Sequence, residues 1–145
     1  MATQHVLTCA SLSLLLSAAL PGICFAQQAA PATPSFTSKP VHVSPISGDD
    51  KKELVLNSVS IAIGGTVPMH THPGDCLGSA VEGTVELLVE GQPPKKVSGG
   101  EAYNNLRGTV HGFRNVGDVP AKLLNNLVVD KGVPRTQMVA TAAKP

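Results

Sequence analysis

The sequence predicts an all-β domain closed into a sandwich or barrel, and three observations predict it. Past residue 40, apolar residues recur at every second position rather than with a helical period, as strand side chains alternating between two faces require. The apolar runs are short and bounded by turn residues. Most of the 14 glycines and 12 prolines of the chain lie between those runs, where they punctuate strands.

Residues 1–26 read as a secretory signal peptide. Leu12 to Leu20 is an apolar run interrupted only by Ser13 and Ser17, broken by Pro21-Gly22 and followed by Cys24-Phe25-Ala26 before a cleavage position. The run is too short to span a bilayer. Ile23 is large for a residue preceding a lipidated cysteine, so plain export is expected, giving a periplasmic or secreted protein that begins at Gln27. Residues 27–45 read as a flexible linker. Gln27 to Pro40 carries three prolines and little to bury besides Phe36.

Residues 46–140 read as the folded domain. Val59, Ile61 and Ile63 alternate with Ser60 and Ala62 before Gly64-Gly65. Val85, Leu87 and Val89 alternate up to the Gly91-Gln92-Pro93-Pro94 turn. Val97 opens a short strand ending at Gly99-Gly100. Val110 to Val116 and Leu123 to Val129 give two more strands, separated by Gly117-Asp118-Val119-Pro120. Lys52 to Ile63 has the alternation of a strand and is expected at a sheet edge.

Charge excludes more than it suggests. Eleven basic and ten acidic residues are interspersed. No basic stripe points to nucleic acid, and no polybasic amphipathic helix points to a membrane surface. Cleavage at Ala26 removes Cys9 and Cys24, which leaves Cys76 as a lone thiol and rules out a disulfide framework within one mature chain.

The chemistry concentrates in the histidines. His70 and His72 are two residues apart, so in a strand they face the same way, and His111 follows about forty residues later. Two neutral imidazoles on one face joined by a third from another strand form a common transition-metal site. His42, near the end of the linker, reads as a solvated or edge residue, and Arg114 as a surface residue. In Asn104-Asn105 one amide faces inward and can line a pocket, and Tyr103 shares the parity of Asn105.

Two spaced motifs carry a family resemblance. The first runs Gly64, five residues, His70-Thr71-His72, three residues, Cys76, six residues, Gly83. The second runs Gly100, five residues, Leu106-Arg107-Gly108, two residues, His111, three residues, Asn115. Over residues 53 to 130 the chain resembles a small single-domain cupin, and the resemblance implies a jelly-roll barrel with His70, His72 and His111 as metal ligands, and a homodimer paired through the strand from Lys52 to Ile63, since such barrels often pair through strands. Cys76 stands where the family has a glutamate ligand, and Leu106 where the second motif has a proline.

Strand parity carries Cys76 inward and Asp75 outward unless Pro73-Gly74 shifts the register. The site residues expected are therefore His70, His72, His111 and Cys76. Asp75 as the fourth ligand, or an open site of histidines alone, are the alternatives. The cofactor is a divalent transition metal among Fe, Zn, Cu, Ni and Mn. Two function classes follow: a small-molecule dioxygenase-type metalloenzyme with an open metal position, or a non-enzymatic protein that binds a small ligand or closes four protein ligands around a structural metal. The partner expected in either class is a small molecule.

Overall fold

The computed structural model describes residues 35–139; the expected signal peptide, the first part of the expected linker and the last residues lie outside them. Ten strands and no helix occur among the described residues. They are β1 (Phe36–Ile46), β2 (Asp49–Ile61), β3 (Thr66–Thr71), β4 (Gly74–Glu82), β5 (Thr84–Val89), β6 (Lys95–Ser98), β7 (Ala102–Asn105), β8 (His111–Asn115), β9 (Ala121–Asp130) and β10 (Gln137–Met138). They form two five-stranded antiparallel sheets, one ordered β1-β2-β9-β4-β7 and the other β10-β3-β8-β5-β6.

Alternation fills the space between the sheets. Ile61, Val85, Val97, Phe113, Ala121 and Leu123 are buried in the main core, and Val55, Cys76, Leu127 and Val129 form a smaller cluster. The buried positions of β9, every second residue from Ala121 to Val129, show how strictly the two-residue period is kept. Asn115 locks one end of the barrel. Its Nδ2 reaches the carbonyls of Ile61, Ala62 and Val119 at 2.8–3.1 Å, and its Oδ1 accepts from the Gly117 amide at 2.9 Å. This asparagine of the second motif therefore serves the frame.

Two expectations are corrected here. The stretch read as linker through residue 45 is a strand from Phe36 onward, paired with β2 from Phe36↔Ile61 to Ile46↔Asp49. It looks like a linker because almost nothing in it is buried: Val41 and Val43 are exposed, and Phe36 alone packs against the core. Backbone pairing to β2 makes the strand. Pro40 and Pro45 are tolerated because an edge strand has one unpaired side, and the register shifts beside both. For the same reason Lys52 to Ile63 is not an edge strand. β2 lies between β1 and β9, so the dimer expectation loses the strand on which it rested.

Candidate metal centre

The three histidines come from two neighbouring strands of one sheet. His70 on β3 is the direct partner of His111 on β8, and His72 follows on the same face, just past the end of β3. A β-bulge sets that face. Val67 pairs with Phe113 and His70 with His111, so Pro68 and Met69 add one residue to β3 between the two pairs. Without the added residue, the parity that faces Val67 to the core would turn Met69 and Thr71 inward; with it, His70 and His72 are buried. The bulge needs room, and Gly112 provides it. A Cβ there would meet the Val67 carbonyl oxygen at 2.7 Å and Met69 Sδ at 3.1 Å.

The rings close on one another, with centroids 4.3 Å apart for His70–His111, 4.9 Å for His70–His72 and 5.1 Å for His72–His111. Each Nδ1 is held by a backbone carbonyl: His70 by Pro68 at 2.8 Å, His72 by Arg135 at 2.6 Å, and His111 by Thr109 at 2.9 Å. A carbonyl only accepts, so each Nδ1 carries the hydrogen and each Nε2 keeps its lone pair. The ligand nitrogens of the three lie within 4.8 Å of one another. Burial pushes all three imidazoles down from their ordinary pKa, His111 to about 4, so they are neutral near pH 7. Three converging lone pairs with no proton among them repel one another and fit a cation. The carbonyls behind them set tautomer and ring angle, as partners of metal-bound histidines do.

The segment that follows β9 contributes to this site. Arg135 Nε pairs with Glu53 Oε1 at 2.7 Å, and β10 pairs with β3 at Gln137↔Thr71 and Met138↔His70. That places the Arg135 carbonyl against His72 and Met138 beside the site. Two paired residues give no alternation to see, so β10 leaves no mark in the sequence. The Leu106-Arg107-Gly108 turn is also held without its proline. Gly108 N donates to the His72 carbonyl at 3.1 Å, and Asp75 accepts from Arg107 N at 2.9 Å. Arg107 forms a two-pronged pair with Asp130 at 2.7 Å, and Lys52 joins it at 3.0 Å. Arg107, then Lys52, hold the Asp130 carboxyl well below the usual carboxylate range.

The fourth position departs from expectation. Cys76 is buried, as parity requires, yet its thiol is not among the donors that converge with the histidines. It packs with Val55, Leu127 and Val129, and burial pushes its pKa up to about 12, which keeps it a thiol. Asp75 is exposed and engaged with the Arg107 amide, so it does not enter the site. His42 and Arg114 are exposed, and Arg114 pairs with Glu86 at 2.6 Å. Of the asparagine pair, Asn104 is exposed and Asn105 is buried beside Cys76 in the register, its amide without a partner among the described residues.

A cavity of about 170 Å³ opens beside the histidines. Its walls are Phe36, Val59, Val67, Pro68, Phe113 and Met138, and its polar lining is Ser38, Asn57, Asn125, Thr136, His70 and His72. Tyr103, on the far side of Asn125, donates to Asn125 Oδ1 at 2.6 Å. Asn125 and Asn57 gave no signal in the sequence, since a single asparagine at an inward strand position looks like any other polar residue.

A cupin domain model matches residues 57–129, a span that holds both motifs and all three histidines. The chain belongs to the cupin family. No protein of curated function matches this cupin in sequence. Solved structures do. An oxalate oxidase is 26% identical with a TM-score of 0.54, over 59% of this chain and 46% of its own. The DMSP lyase DddQ from Ruegeria pomeroyi DSS-3 is 24% identical with a TM-score of 0.57, over 69% of this chain and 50% of its own. The polyketide cyclase RemF from Streptomyces resistomycificus is 22% identical with a TM-score of 0.58, over 74% and 73%. This cupin thus spans about half the length of the oxalate oxidase and the lyase, and the lower identities show the shared fold.

Proposed function

We propose that this cupin holds one divalent transition metal on His70, His72 and His111, with positions open toward the adjacent cavity, and acts there on a small organic molecule. The observation that carries the reading is the fixing of three Nδ1–H groups on backbone carbonyls, which leaves three Nε2 lone pairs convergent beside a cavity. When bound, the metal supplies Lewis acidity and, if it is Fe, Mn or Cu, one-electron chemistry with dioxygen. The chain contributes the rest. The bulge and the carbonyls fix the ligand geometry, the apolar walls exclude water, and the polar rim orients the bound molecule. An oxidase, a lyase and a cyclase share this barrel, so reaction class is argued from the site rather than from the fold.

Among the described residues three histidines converge without Cys76 or another fourth donor, which supports the open site of a metalloenzyme of dioxygenase type over a closed set of four. One observation favours a binding protein instead: among the described residues, the cavity lining includes no ionisable side chain besides the histidines that could act as general acid or base. Dioxygen uptake by Fe(II)-loaded protein, screened over small organic acids, alcohols and thioethers, separates the two. Turnover with one class supports the enzyme. No uptake, together with a Co(II) spectrum of four protein ligands, would replace the reading with a closed site. We propose further that the protein acts after export, supported by the apolar run before Pro21 and by Cys24-Phe25-Ala26.

A further inference from the structure

One row of residues crosses the five-stranded sheet opposite the histidines. Register aligns Pro40, Asn57, Asn125, Gly78 and Tyr103, one from each strand, and antiparallel partners share a face. Gly78 has a steric reason to be glycine, because a Cβ there would overlap both the Tyr103 ring and Asn125 Oδ1. The missing side chain lets Tyr103 lie across β4 and donate to Asn125 Oδ1 at 2.6 Å. Both residues are buried. That bond fixes the Asn125 amide with its oxygen toward Tyr103 and its Nδ2 as the remaining donor, at the wall of the cavity shared with His70 and His72. Asn57 is different, since its Nδ2 donates to Ser38 Oγ at 2.9 Å. The hydroxyls of Ser38 and Thr136 can turn either way. Asn125 is the amide held as a donor.

Charge completes the argument. Three neutral histidines leave a divalent ion with its full charge, and the family's glutamate position holds a neutral, buried Cys76. Among the described residues no carboxylate lines the cavity. A buried cation without a counter-charge favours an anionic ligand. The walls of Phe36, Val59, Val67, Phe113 and Met138 suit a short hydrocarbon body, and about 170 Å³ holds only a small molecule.

We propose that Asn125, oriented by Tyr103 across Gly78, is the specificity-determining residue of the histidine site, donating from Nδ2 to an oxygen of a small monocarboxylate. This rests on the metal reading above and names its ligand class.

The test uses the mature chain loaded with Co(II), with propionate as probe and neutral imidazole as control, each followed through the visible cobalt spectrum. Metal content is measured separately in every variant. Tyr103→Phe keeps the ring but frees the amide. Tyr103→Phe with Asn125→Leu replaces both partners by apolar groups, which avoids stranding a buried hydroxyl. The expected result is propionate binding weakened a few-fold in the single variant and about tenfold or more in the double, the value of one hydrogen bond to a charged group. Cobalt content and imidazole affinity stay unchanged. Propionate affinity within twofold of the parent in the double variant, or a parallel loss of imidazole, would overturn the role of Asn125. A parent protein that takes up no cobalt would instead overturn the metal site itself.

Discussion

At position 76 the strand turns a thiol inward, and there the likeness to a metal ligand ends. Burial of Cys76 was legible because parity from His72 carries it inward. Its distance from the histidine nitrogens was not, since that depends on how far two sheets stand apart and how short the side chain is. A glutamate reaches further than a cysteine from the same Cα. In its cluster with Val55, Leu127 and Val129 the thiol is a small apolar filler. Cys76→Ser should therefore leave metal content unchanged and cost about 1–3 kcal/mol of stability, the penalty for a poorly bonded buried hydroxyl. Co(II)- or Cu(II)-loaded parent protein should show no sulfur-to-metal charge-transfer band. A band that disappears in Cys76→Ser would restore the thiolate as fourth ligand.

The elements that position the site differ in how strongly the sequence marks them. Strands with strict alternation, such as β5 and β9, could be placed from the sequence because a half-buried strand writes its period into the chain. β1 could not, because it is held by backbone pairing at an edge and carries few buried side chains to mark it. β10 is too short for any period. The bulge at Pro68-Met69 was invisible for another reason. The histidines have the same two-residue spacing with or without it, and only pairing with β8 reveals the added residue. Gly112 is the position that depends on it. Gly112→Ala should push against the Val67 carbonyl and displace the bulge, costing about 1–3 kcal/mol as overpacking does. Because His70 Nδ1 bonds inside that bulge, metal affinity should fall along with stability. Calorimetric unfolding and a metal titration on the same preparation check both, and a variant that loses stability but binds metal as tightly would separate the bulge from the site.

For the whole molecule, the jelly-roll class and the histidine triad were available from two spaced motifs and the strand period, and the match over residues 57–129 agrees with them. What the sequence could not show is how the triad is held, since the carbonyls of Pro68, Thr109 and Arg135 are backbone atoms that any residue supplies. Export is a claim about the molecule as a whole. Protein recovered from a periplasmic fraction or culture medium should begin at Gln27 by N-terminal sequencing, and a retained Met1 or a lipid on Cys24 would defeat it.

The claim on which the functional reading depends is that three histidines hold one metal. Elemental analysis of protein purified without chelators measures it directly, beside His70→Ala and His111→Ala checked for folding by circular dichroism. The parent should carry about one transition-metal ion per chain, and each folded variant should lose most of it. Unchanged metal content in both variants, or none in a parent protein offered Zn(II), Fe(II) and Co(II), would contradict it.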